Sequence, residues 1–176
     1  MSSQTKHLKL NLSEQAHKGL WFLIGIAGFY TLFWVIFKLA EGIIKKYVAV
    51  TSWVLLSMVK VKAELLFSQN PVIAVSGVNA EINSLCSGVF EIALIMAIVM
   101  ASWDRSWKQR ITGALGGALF VLLVNPLRIM IVLAVGHYLS WKAADLTHDI
   151  LFRLSLLLII IGYYYWWYVK ATCEQS

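Results

Sequence analysis

The sequence predicts an all-α integral membrane protein: a compact helical bundle of about four to six transmembrane helices, with interfacial or re-entrant helices on its outer face. Three observations carry this. The 176-residue chain is 60% hydrophobic and only 14% charged, with a mean hydropathy of +0.73, outside the usual balance of a soluble domain. Apolar runs of about twenty residues recur along it. Its cations cluster beside those runs, where they set orientation and meet anionic lipid.

The chain reads as a single membrane-embedded domain over residues 1–176, with no length left for a separate soluble unit. Residues 1–18 are polar and basic (Lys6, His7, Lys9, His17, Lys18), which the positive-inside rule places in the cytoplasm. Asn11-Leu12-Ser13-Glu14 suits the start of a short surface helix. The segment does not read as a cleavable signal peptide, because the apolar run after it is long and lacks a small-residue cleavage site. Leu20–Leu39 is the first span, about 30 Å of helix. Residues 40–67 are ambiguous. Val48–Val59 is apolar but short, between Lys45, Lys46, Lys60 and Lys62, and is expected to lie as an amphipathic helix on the outer face. A span from Tyr47 to Phe67 is the alternative.

Residues 68–83 differ in kind. Pro71, Gly77 and the asparagines break helices, and Val72-Ile73-Ala74-Val75 prefers extended structure, so a loop or short hairpin outside the bilayer is expected. Ser84–Trp103 is the next span. Asp104–Arg110 is a compact, net-positive cytoplasmic loop. Ile111–Val124 returns, its Gly113, Gly116 and Gly117 permitting close helix approach. Asn125-Pro126 is expected to interrupt the helix, and Ile129–Trp141, too short to cross, to run along or re-enter the outer face. Lys142–Asp149 is polar. Leu151–Tyr168 is the last span, closing in an aromatic belt, and residues 170–176 form a cytoplasmic tail.

The candidate chemistry lies where polar segments meet apolar ones. Cys86, in Asn83-Ser84-Leu85-Cys86-Ser87-Gly88-Val89, is expected in a helix first turn capped by Asn83 or Ser84. Free N–H groups and the helix dipole there favour a thiolate. Ser87 and Gly88 leave room for a substrate backbone. Arg128, in Asn125-Pro126-Leu127-Arg128-Ile129, suits stabilisation of a thiolate or oxyanion. His148 is the candidate base, with Asp145 one turn earlier to orient it; His137 is a weaker alternative. Glu91 and Arg153 are expected to face the bundle interior, with Glu91 paired to Arg153 or Arg128. Each residue also has a bland reading: Cys86 as a packing residue, Arg128 as an interfacial arginine, His148 as a helix-start histidine. Cys173 is expected to be inert and too far from Cys86 to pair with it. No metal or cofactor motif is present in the sequence, and a nucleic-acid partner is not expected.

These residues resemble the exosortase/archaeosortase family of integral membrane cysteine transpeptidases. Leu85-Cys86-Ser87-Gly88-Val89 is similar to its Cys-Ser-Gly motif and Asn125-Pro126-Leu127-Arg128-Ile129 to its Asn-x-x-Arg motif. His148 stands where bacterial members keep a histidine. The resemblance implies Cys86, Arg128 and His148 as catalytic residues, with Asn83, Ser87, Gly88, Glu91, Asn125, Asp145 and Arg153 in support. It implies cleavage of a C-terminal sorting signal of the PEP-CTERM kind on exported proteins through a Cys86 acyl-enzyme, then transfer to a lipid-linked or other amine, or to water. The site would face the extracytoplasmic side of the cell membrane. The chain is shorter than many exosortases, which have about eight spans. In this shorter chain, Arg153 is expected to take part of the role that archaeosortases give to a third-position arginine. The other class of reading is a non-catalytic membrane scaffold or transporter subunit, in which the three residues would not converge.

Overall fold

A computed structural model describes residues 2–173, with side chains described from residue 14 onward except at 151–153, 155–157 and 159. Five helices and three strands follow in the order α1 (Ser2–Leu39), α2 (Glu41–Met58), β1 (Ala63–Leu66), β2 (Val72–Val75), β3 (Val78–Glu81), α3 (Val89–Met100), α4 (Trp107–Tyr138) and α5 (Trp141–Cys173).

Helices α1, α3, α4 and α5 form a bundle whose neighbours alternate in direction. Along α3 and α4, Arg110 donates to the Met100 carbonyl, Gly117 lies against Ile95, and Asn125 reaches Cys86. Along α4 and α5, Tyr163 Oη donates to the Gly113 carbonyl at 2.7 Å and the Trp167 indole to the Gln109 carbonyl at 3.3 Å. At the far end Trp141 rests on Gly136. Along α1 and α3, Gly25 meets Trp103 and Ala101 while Glu41 accepts from Ser84. The interior is apolar, around Ile92, Ile95, Val99, Ala114, Val121 and Trp167. The outside is apolar as well: Leu23, Ile36, Leu115, Leu119, Leu158 and Ile161 are all exposed. A helix apolar on both faces suits a lipid surround. Two helical stretches, Glu14–Leu39 and Trp107–Tyr138, are long and apolar enough to cross a bilayer, and Val89–Met100 is apolar but shorter.

Four expectations are corrected. The chain is mostly helical but not all-α, because β1, β2 and β3 form an antiparallel sheet in that order. The hairpin expected in 68–83 is there, closed by Ser76 (φ 50°) and Gly77 (φ 81°), the pair of left-handed residues that a two-residue turn between twisted strands requires. Strand β1 falls in the ambiguous 40–67 stretch, where the alternative span to Phe67 would have been helical.

Helix α2 does not continue as a span to Phe67. It stops at Met58, and Lys60 takes a left-handed φ of 60°. It runs in the same direction as the second half of α4, with Ser52 Oγ donating to the Pro126 carbonyl and Tyr138 Oη to the Val59 carbonyl. Its buried face (Val48, Ala49, Ser52, Leu56) joins Ile73 and Val75 of the sheet and Ile129 and Leu133 of α4 in a second core.

Helix α4 is continuous through Asn125-Pro126, 32 residues long, about 48 Å. Proline removes one N–H without ending the helix, because the surrounding positions are buried against α2 and α3. The re-entrant reading of Ile129–Trp141 therefore fails. Its residues up to Tyr138 are the last turns of α4, and Trp141 starts the 33-residue α5. Helix α3, finally, is shorter than the expected Ser84–Trp103 span. Residues 84–88 form turns ahead of it, and Gly88 (φ 81°) is its N-cap.

A methyl at Gly113 would overlap the Trp167 indole, which is buried and held to Gln109. Gly113→Ala is expected to destabilise the α4–α5 pair by about 1–3 kcal/mol, as overpacking does. Thermal unfolding in detergent, compared with Gly162→Ala, where nothing lies within 4 Å, checks this.

Candidate active site at the seam of two cores

The chain between β3 and α3 is a tight turn held from both sides. Asn83 Oδ1 accepts from the backbone N–H of Leu85 (3.0 Å) and of Cys86 (3.1 Å). Ser87 N–H bonds the Asn83 carbonyl at 3.1 Å, and Ser87 Oγ donates to the Ser84 carbonyl at 2.7 Å. Asparagine supplies this because its short amide reaches its own following backbone. From α4, Asn125 Nδ2 donates to the Cys86 carbonyl at 2.8 Å. Both backbone groups of Cys86 are thus fixed while its side chain remains partly accessible.

Two expectations about this turn are corrected. Cys86 is not in the first helical turn: it precedes the N-cap, and its N–H is already taken by Asn83. The small residue at 88 serves the fold. Gly88 adopts a positive φ, and a Cβ there would press on the Asn125 amide at 3.1 Å, so glycine lets α3 and α4 close over the Cys86 carbonyl.

Arg128, one turn beyond Asn125, extends into the seam. Its Nη1 lies 3.3 Å from Glu91 Oε1, and both side chains are more than nine-tenths buried. The pair formed by Glu91 is therefore the one with Arg128; the Arg153 side chain lies outside the described residues. Burial pushes the Cys86 thiol above the ordinary range, and the Arg128 charge and the Asn83 hydrogen bond oppose that rise.

His148 lies on the early turns of α5, half-exposed, with Asp149 Oδ1 3.8 Å from Nδ1, too long for a hydrogen bond. Asp145 is exposed. His148 follows Trp141 by about two helical turns and shares its face. Trp141 packs on the second core, as does Cys86. The antiparallel register set by Gly136 with Trp141 and Gly113 with Tyr163 puts His148 within about one turn of the level of Arg128. His137 is occupied elsewhere, its Nδ1 2.7 Å from Ser76 Oγ, where it ties the sheet turn to the end of α4. Cys173, also a free thiol, ends α5 beside Thr172, which accepts from Arg105, at the opposite end of the bundle.

Glu41 is a residue the sequence reading missed. It is buried at the start of α2, accepts from Ser84 Oγ in the Cys86 turn, and pairs with Lys38 and Lys45, each at 2.6 Å. Burial alone would raise its carboxyl, but the hydrogen bonds from Lys38, Lys45 and Ser84 bring it down to about 2. The lysines at three residues before and four after Glu41 were the available signal, since helical spacing puts all three on one face.

The arrangement defines a helical membrane protein with a cysteine, an amide and a buried arginine gathered at one end of its bundle. The model of the transmembrane exosortase family matches residues 8–164, and the chain belongs to that family. It is similar to a probable archaeosortase D of Methanocaldococcus jannaschii, 24% identical over 129 residues, which are 73% of this chain and 79% of that protein. No solved structure matches it. Exosortases and archaeosortases are membrane protein-sorting enzymes that act on exported proteins carrying sorting signals.

Removing one partner of the Glu91–Arg128 pair leaves a buried uncompensated charge, which typically costs about 3–5 kcal/mol. Arg128→Ala is expected to fall in that range. The double variant Arg128→Met/Glu91→Met should recover most of the loss. Unfolding midpoints of the single and double variants in one detergent measure both.

Proposed function

We propose that the chain is a membrane cysteine transpeptidase or protease that cleaves the C-terminal sorting signal, of the PEP-CTERM kind, of exported proteins. The observation that carries this is the Cys86 turn, pinned at its N–H by Asn83 and at its carbonyl by Asn125 with the Arg128 guanidinium in the same seam. Cys86 Sγ attacks the scissile carbonyl, and Arg128 stabilises the charge that develops on sulfur and then on oxygen. Burial disfavours the Cys86 thiolate, so attack needs a base. His148 takes the proton and returns it to the leaving amine, which frees the signal fragment and leaves a thioester on Cys86. An amine acceptor, lipid-linked or otherwise, resolves the thioester by transfer; water resolves it by hydrolysis. Asn125, Asn83 and Glu91 act as positioning residues. Helices α1, α4 and α5 are the full-length spans, and the shorter α3 with its flanking turns returns the chain between them, with the basic 104–110 segment cytoplasmic and Cys86 on the extracytoplasmic side.

Co-expression with a signalled exported protein tests this reading. Wild type is expected to shorten or re-anchor the substrate, and Cys86→Ala and Cys86→Ser to abolish that, as followed by gel shift and by mass of the new C-terminus. Normal processing by Cys86→Ala would remove the cysteine mechanism. The pH dependence has a definite sign. A raised thiol stays neutral to higher pH, so Cys86 is expected to react with iodoacetamide more slowly than free cysteine near neutrality, with a midpoint above the ordinary thiol range. Arg128→Gln removes an opposing charge and is expected to move the midpoint higher still. A midpoint below that of free cysteine would contradict the assignment.

A further inference from the structure

The three-stranded sheet has two edges, and they differ. Helix α2 packs along β1, and the Trp53 indole donates to the Ala63 carbonyl at 2.9 Å. Among the described residues, no helix packs along β3 as α2 packs along β1. The register of the β2–β3 hairpin fixes which backbone groups face that open edge. Val75 pairs with Val78 across the two-residue turn, Ile73 with Ala80, and the Ile82 N–H bonds the Pro71 carbonyl at 2.8 Å. In an antiparallel ladder these are the hydrogen-bonded positions, and the alternate residues turn their N–H and C=O outward. Those residues are Asn79 and Glu81, both exposed.

The open edge leads directly to the candidate nucleophile. Glu81 ends β3, Asn83 opens the turn, and Cys86 follows within it. The Glu81 charge is close enough to act on the Cys86 thiol, and Asn70 holds the Glu81 carboxylate. An unpaired edge is a template for another strand, and recognition by strand addition takes its affinity from the main chain and its selectivity from alternate side chains.

We infer that an extended segment of the protein substrate docks as a fourth strand on β3, bonded to the backbone N–H and C=O of Asn79 and Glu81, so that its scissile bond is delivered to Cys86. This rests on the cysteine reading above and adds how the substrate is held. Main-chain pairing makes the bound conformation extended and leaves sequence selectivity to every second side chain.

The test uses the full chain in detergent with Cys173→Ser, so that Cys86 is the one thiol. Its labelling by acetyl-Val-Ala-Val-Ala chloromethyl ketone is compared with labelling by chloroacetone. The peptide reagent is expected to react at least about tenfold faster, given two or more backbone hydrogen bonds. N-methylation of the amides that face β3 should slow it about fivefold each, the worth of one neutral hydrogen bond, while methylation of the intervening amides leaves the rate unchanged. Asn79→Pro, which removes an outward N–H at a position where an edge strand tolerates proline, should slow the peptide reagent and not chloroacetone. Equal sensitivity at every amide, or no advantage for the peptide, overturns the proposal. So does a dimer that Asn79→Pro dissolves without any alternation in the methylation series, which would assign the edge to a second copy of the chain. Normal substrate processing by Cys86→Ala would sink the cysteine mechanism separately, without altering the labelling result.

Discussion

One amide hydrogen bond joins the parts of this molecule that matter most. The Asn125 side chain, projecting from the middle of a continuous helix, donates to the carbonyl of Cys86. Everything near it serves that approach. Gly88 omits the Cβ that would block it, Asn83 holds the other side of the same peptide unit, and Ser52 closes on the carbonyl of the proline that follows Asn125. One turn further along α4, the buried Glu91–Arg128 pair fastens the same two helices with charge. Buried polar groups are worthwhile only when satisfied, and here their satisfaction fixes one relative placement of α3 and α4.

The class of protein was legible because it rests on strong local signals. Long apolar runs, a compact basic loop between tryptophans, and polar motifs at the ends of hydrophobic segments each point one way. The hairpin was legible from Pro71, Gly77 and the β-branched run between them. The course of α4 was not. Asn125-Pro126 reads as a helix break, because sequence counts the lost N–H and cannot count the packing of α2 and α3 that outweighs it. Strand β1 was hidden for a similar reason: Ala63-Glu64-Leu65-Leu66 favours helix by composition, and only its partner Val72–Val75 makes it a strand. Glu41 was overlooked since its role depends on Ser84, forty-three residues away.

The two cores divide the labour. One fills the bundle between the exposed apolar sides of its helices. The other lies at one end, where α2, the sheet, the last turns of α4 and the first of α5 meet. Cys86 packs against this second core, so the thiol sits where a membrane bundle gives way to a small mixed domain. The Glu41 cluster belongs to the same boundary, binding the α1–α2 junction to the Cys86 turn. The second core and the bundle that holds the arginine therefore share two helices, α4 and α5.

The length of α4 has a consequence of its own. From Trp107, beside the basic loop, to Arg128 is about 31 Å of helix, close to the hydrocarbon thickness of a bilayer. The helix is thus a ruler with its zero at the capped Ser106 turn and the arginine at its far mark. Lipids with longer acyl chains would draw that mark into the oil, and thinner bilayers would leave it wet. On the proposed topology, acyl-chain length becomes a control on the hydration of the seam.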